Sequence, residues 1–246
     1  MDWKTILDKL ESGEIRSANK IEGKWVANKE VKQGILEAFK AGELSQLGDF
    51  VDKHNIPARS FTPKDGIRIV PGGSSVRRGS YVAPGVIIMP PAYVNIGAYV
   101  DESTMVDSHA LVGSCAQIGK RVHLSAAVQI GGVLEPIGMS PVIIEDDAFI
   151  GAGAVIVEGI QVGKRAIIAP GVTLSKSIPV YDCINERLLE KNEGIPEGAV
   201  VVPGTRPVNS KLTWARENNL QLNCALIVKY RDANSDASVE LEEFLR

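Results

Sequence analysis

Every sixth residue from Val70 to Ile130 is aliphatic: Val70, Val76, Val82, Ile88, Val94, Val100, Val106, Val112, Ile118, Leu124 and Ile130. After one interruption the series resumes at Ile144 and runs through Ile150, Ile156, Val162, Ile168 and Leu174 to Val180. A period of six suits neither an α-helix, with about 3.6 residues per turn, nor a strand, with its alternation of about 2.0. It is the pattern of a parallel β-helix, in which each hexad supplies one short strand and one corner. Three hexads close a triangular turn, so residues eighteen apart stack at about 4.8 Å. Each turn needs its neighbours to cover its apolar interior.

The residue four places after each aliphatic one is small or branched: Val86, Ala92, Ala98, Thr104, Ala110, Ala116, Val122 and Val128. These positions should also point inward, because alternate residues on a strand share a face. Asn95, Gly97, Gly113, Gly119, Gly151 and Gly163 fall at corners and read as positions tolerating positive φ. The segment GGVLEPIGMSPV between Ile130 and Ile144 is an insertion, expected to leave the coil as a loop on one face.

The flanks lack the hexad, giving an expected division into 1–65, 66–180 and 181–246. Trp3, Ile6, Leu7 and Leu10 have helical spacing, with Gly13 as a stop. KIEGKWV reads as a hairpin turning at Glu22-Gly23. Asn28 should cap a second helix carrying Val31, Ile35, Leu36 and Phe39 and ending near Gly42. Leu44 to Val51 reads as a further turn of helix, and His54 to Asp65 as a connector. In the C-terminal part, strands are expected around Val200–Val202 and Cys224–Tyr230, and a last short helix in VELEEFLR capped by Asp236 or Ser238. The whole is mainly β: a coil of hexapeptide repeats with a small α-helical N-terminal domain and a C-terminal extension that covers the open end.

The formal charge of −3 argues against a nucleic-acid surface. No apolar run is long enough for a membrane span, and the N-terminus lacks a signal-peptide core. Three scattered cysteines fit a reducing cytoplasm better than a disulfide framework. Aromatic residues make up 5% of the chain, too few for the broad exposed patches of a binding scaffold.

Stacking sorts the polar residues. Asp107 follows the inward Val106 and so sits at a corner, with Ser125 eighteen residues on at the same corner. A carboxylate beside a hydroxyl can receive an amine nucleophile, or the carboxylate can simply satisfy corner amides. Asp101 holds the same hexad place on another face and reads as a solvated corner. His109 and His123 occupy different hexad places and His54 lies outside the coil, so no zinc site is expected; either coil histidine is a candidate general base. Arg68, Arg77 and Arg78 could grip a carboxylate through a guanidinium fork, or be edge charges. Lys164, Arg165 and Lys176 on late coils could meet phosphates of a long cofactor, or be charged corners.

The phrases YVNIGAYVDE, TMVD, VGSCAQIGK, VHLS and IGGVLEP resemble the tetrahydrodipicolinate N-succinyltransferases of bacterial lysine synthesis. SGEIRSANKIEGKWV, GIRIVP, IIEDDAFIGA, IPEGAVVV and CALIVK extend the likeness over most of the chain. The resemblance implies a left-handed coil and a homotrimer with active sites between subunits. It also implies succinyl-CoA as co-substrate, with no permanently bound cofactor or metal. It assigns the acceptor contacts to Arg68 and Asp107, with Asp107 as general base. Ser125 would join them, and Gly151 and Lys176 would face the CoA ester, a corner amide near Gly151 serving the oxyanion. The chain departs from the family where Arg-Ser-Glu usually follows FIGA: Gly153, Ala154 and Val155 stand there. That stretch looks more like the N-acetyltransferases acting on the same acceptor, which leaves an acetyl donor as the alternative.

Overall fold

A computed structural model describes residues 1–231. The helix expected at 236–246 lies outside the described residues.

The hexads stack as their period requires, in a left-handed parallel β-helix. The first face is made of Tyr81–Val82, Tyr99–Val100, Gln117–Ile118, Ile143–Ile144 and Gln161–Val162. The second contains Arg68–Ile69, Ile87–Ile88, Met105–Val106, His123–Leu124, Phe149–Ile150 and Ile167–Ile168. The third contains Ser75–Val76, Tyr93–Val94, Leu111–Val112, Gln129–Ile130, Val155–Ile156 and Thr173–Leu174. Val100 lies between Val82 and Ile118, each eighteen residues away. The insertion stretches one step, so that Ile118 faces Ile144 without loss of register. Both inward positions of the hexad are buried, Val106, Val112, Ala116 and Val122 completely. Each such valine contributes roughly 1.5–3 kcal/mol of hydrophobic stabilisation.

Four expectations are corrected. Val70 does not head the inward series: Ile69 pairs with Ile88, and the chain gains one residue through the Gly72-Gly73 turn before Val76 meets Val94. Val180 does not extend the coil either. It pairs with Ala225, while Ile195 bridges to Val162 and Val201 pairs with Ile168, so 195–201 complete the last turn.

Most of the expected corner positions are not where φ is positive. The left-handed residue comes three places after the aliphatic one and includes Gly97, Ser103, His109, Cys115, Arg121 and Ala127. Gly113, Gly119, Gly151 and Gly163 stand one place after it and are needed for close approach: a Cβ on Gly113 would lie 2.2 Å from the nitrogen of Gly132, and one on Gly151 2.5 Å from that of Pro170.

Finally, Leu44–Leu47 and Phe50–Lys53 form an antiparallel hairpin, not a helical turn. Gly48 at φ 61° closes it, a left-handed turn position that glycine favours.

Elsewhere the N-terminal domain follows its sequence. Helix α1 (Trp3–Glu11) is capped by Asp2, whose Oδ1 accepts from the amides of Lys4 and Thr5, and buries Ile6, Leu7 and Leu10. Ala18–Ile21 and Lys24–Ala27 pair through the Glu22-Gly23 turn. Helix α2 (Lys29–Ala41) is capped by Asn28 and buries Val31, Ile35 and Ala38. The two helices pack on the coil at Ile96 and Cys115. Arg77 and Arg78 tie this domain down, through Asp52 at 2.6 Å and Asp8 at 3.0 Å. At the other end, Ala199–Pro207 pairs with Gln221–Tyr230, continuing the second face beyond Ile167–Ile168.

Candidate active site

The second face and the corner that follows it hold most of the residues singled out from the sequence. Along that corner, Met89, Asp107, Ser125 and Gly151 succeed one another, because Ile88, Val106, Leu124 and Ile150 are stacked before them. Each donates its amide to the next coil: Asp107 to Leu124 O at 2.9 Å, Ser125 to Ile150 O at 2.9 Å, Gly151 to Ile168 O at 2.7 Å. The Asp107 carboxylate is half-buried, and its Oδ1 accepts from the Ser108 amide at 2.7 Å. Part of its capacity therefore satisfies a corner, as Asp101 does for Glu102 and Asn95 for Ile96. Its second oxygen has no hydrogen-bond partner among the described residues. Ser125, 9% exposed, stands at the same corner on the coil above.

The amide two places after each aliphatic residue has no ladder partner. At Ser108 the Asp107 side chain supplies one. On the next two coils Ser125 and Gly151 replace the acid, and the amides of Ala126 and Ala152 find no acceptor among the described residues. Gly151 itself is not a free donor, since its N–H is spent on Ile168. The open donors near Gly151 are therefore the adjoining amides. The sequence carried this signal, because a corner acid that disappears from its column leaves its amide exposed.

Arg68 opens the second face and points outward; it is exposed and has no ion-pair partner among the described residues. Its outward column continues through Ile87, Met105, His123 and Phe149, the last two with ring centroids 4.9 Å apart. Arg68 is thus two coil steps below Met105, which stands two residues before Asp107, an axial offset of roughly 10 Å.

Lys176 lies on a different edge. Its amide donates to Glu158 Oε2 at 2.8 Å, and it lines a cavity of about 310 Å³ with Ser140, Glu158, Gln161 and Lys191. The single chain therefore groups Asp107, Ser125 and Gly151, with Arg68 at the base of the same face, and separates Lys176 from them. Val155 points outward on the third face between Gln129 and Thr173, with no acid in its column. His109 is an exposed corner residue at φ 62°. No helix among the described residues is long and apolar enough to cross a membrane.

The chain is similar to known proteins over most of its length. Residues 3–41 match the model of the N-terminal part of tetrahydrodipicolinate N-succinyltransferase, and residues 141–176 that of the hexapeptide repeat of succinyl-transferase. The 2,3,4,5-tetrahydropyridine-2,6-dicarboxylate N-succinyltransferase of Ralstonia nicotianae is 43% identical over 251 residues, covering 98% of this chain and 87% of the relative. That of Pseudoalteromonas translucida is 44% identical over 249 residues, covering 98% and 86%. Among solved structures, a Campylobacter jejuni protein provisionally described as a 2,3,4,5-tetrahydropyridine-2-carboxylate N-succinyltransferase superimposes with a TM-score of 0.60 at 17% identity. That match covers 96% of this chain and 63% of the other, and it bears on the fold alone.

Proposed function

The chain belongs to the tetrahydrodipicolinate N-succinyltransferase family, and on that premise we propose that it moves a succinyl group from succinyl-CoA to the amino group of ring-opened tetrahydrodipicolinate. The observation carrying the residue assignment is the Asp107 corner, where a carboxylate with a spare oxygen stands one coil from the Ser125 hydroxyl, with amides one and two coils on that have no acceptor among the described residues.

Asp107 orients the acceptor's amine. As the nitrogen lone pair attacks the thioester carbonyl, the new C–N bond forms and the carbonyl oxygen takes the negative charge. The Ala126 or Ala152 amide stabilises that oxyanion, a contribution of roughly 10²–10³ in rate. Asp107 accepts the proton lost by nitrogen, worth roughly 10²–10⁴. The C–S bond then breaks, and the CoA thiolate leaves and takes up a proton. Arg68 holds a carboxylate of the acceptor through its guanidinium fork. Ser125 aligns a polar group of the substrate. Gly151 keeps the corner narrow for the thioester, and Lys176 meets the CoA ester from a separate edge.

The Asp107 corner is open in the single chain. The proposal therefore includes a homotrimer in which a neighbouring prism closes it, with work in the cytoplasm, where the thioester is available. The test is CoA release with tetrahydrodipicolinate as acceptor, run in parallel with succinyl-CoA and acetyl-CoA. A preference for acetyl-CoA would transfer the assignment to the acetyl relatives, in keeping with Val155 where the family usually has an acid. A monomer in solution with full activity would reject the shared site.

A further inference from the structure

A second concave site lies between the N-terminal hairpin and the first coil face, one face away from Asp107. Its volume is about 190 Å³, the share of roughly six waters. Arg16, Lys20 and Trp25 line it from the N-terminal domain; Asp101, Gln117, Glu145, Asp146 and Lys164 line it from the coil.

The charges in it are mostly matched. Lys20 bonds Glu145 at 2.6 Å, and the Trp25 indole N–H donates to the same oxygen at 2.9 Å. Lys164 lies 3.3 Å from Asp146. Arg16 and Asp101 are the exceptions. The Arg16 Nε–H donates to Gln117 Oε1 at 2.8 Å, and the guanidinium lies 3.7 Å over the Tyr99 ring. Its Nη hydrogens have no acceptor among the described residues, and the residue is half-buried. Burial pulls the Arg16 pKa down, opposed by Tyr99, Asp101 and Asp146. Among the described residues Asp101 accepts from the Glu102 amide alone and makes no ion pair. Arg16 thus keeps unused donors and Asp101 an unused oxygen on one cavity, and polar groups of opposite sign left open in this way suit a ligand that carries both charges.

We propose that this cavity binds a free zwitterionic α-amino acid, its carboxylate on the Arg16 guanidinium and its ammonium on Asp101. A dicarboxylate would set its second acid against Asp101, Glu145 and Asp146. A diamine would leave Arg16 unpaired. The ligand would join residues of both domains and so clamp the N-terminal domain to the coil. The site does not depend on the acyl-transfer reading.

Calorimetric titration of the full-length protein with individual L-α-amino acids tests it, with glutarate and putrescine as controls that each lack one charge. At least one amino acid should bind at millimolar concentration or below, and neither control should. Asp101→Asn and Arg16→Lys should each weaken that binding about tenfold or more, the second because an ammonium cannot replace a planar fork. Asp101→Asn should leave both the melting temperature and CoA release unchanged, so that lost binding reads as a lost contact. Absence of amino-acid binding at millimolar concentration, equal binding of glutarate, or undiminished binding by Asp101→Asn would overturn the proposal.

Discussion

Asp107 and Ser125 occupy the same corner of successive coils, held there by the Asp107 amide donating to Leu124 O at 2.9 Å and by Val106 lying against Leu124. The side chains are placed by the backbone ladder, so either can be changed without moving the other. Asp107→Asn retains an oxygen to accept from the Ser108 amide. Only the ability to take a proton is lost. Turnover should fall about 10²–10⁴-fold with the melting temperature unchanged; near-normal CoA release would remove Asp107 from the chemistry.

Arg68 should act on binding. It is exposed and at the outer end of the coil, so Arg68→Ala should leave stability within about 0.5 kcal/mol. A bond between charged groups is worth roughly 1.5–3 kcal/mol, which predicts a rise of about tenfold or more in the acceptor's KM with little change for the CoA ester. Steady-state kinetics with each substrate varied in turn would show this, and the reverse pattern would place Arg68 on the donor.

The period of six made the coil, its faces and its stacked corners legible, because a buried inward position admits few side chains. The same period misled at both ends. Val70 and Val180 continue the arithmetic, but the first turn takes an extra residue at Gly72-Gly73 and the last is completed from 195–201. Long-range pairing decides those places, and spacing along the chain does not encode it. The hairpin at 44–53 was missed because its apolar residues are few and exposed: Leu44 at 74% and Phe50 at 78%. In the candidate site, column membership was readable for Asp107, Ser125 and Gly151. The open amides of Ala126 and Ala152 were legible only through that column, where the acid of Asp107 gives way to Ser125 and Gly151.

Thiol chemistry should separate the three cysteines. Burial pushes Cys115 up to about 11, against the opposing influence of Ser17 and Lys32, and also raises Cys224. Cys183 is exposed. The thiolate is the reactive form. At pH 8 an aromatic disulfide reagent should label Cys183 rapidly and the other two only after denaturant is added. Fast labelling of all three in the native protein would contradict this packing.

Asp182 anchors the C-terminal strands and sets an acid limit. Burial by itself would raise its pKa, but the Asn185 side chain, the Tyr230 hydroxyl and the amides of Asn185 and Ile184 together hold it below the ordinary carboxylate range. A carboxylate depressed in the folded state stabilises above its unfolded pKa, and that stabilisation is lost as pH falls through the folded one. Asp182→Asn should lower the neutral-pH melting temperature by a few degrees. The gap from wild type should close progressively below about pH 4; a gap that persists unchanged into acid would show that the charge is not its source.

Two glycines test the division between conformation and space. Gly153 is left-handed at φ 68°, and a Cβ there would meet nothing within 4 Å. Gly113 is not left-handed, but its Cβ would press on the Gly132 nitrogen at 2.2 Å and on the backbone of Gly131. Asparagine tolerates the left-handed region but needs room for its side chain. Gly153→Asn should therefore change stability by no more than about 0.5 kcal/mol. Gly113→Asn must push the 131–142 insertion off the coil, at a cost of about 3 kcal/mol. Chemical denaturation of the two variants would decide between them. A loss at Gly113 no greater than that at Gly153 would mean that the close passage of the insertion against Gly113 contributes nothing.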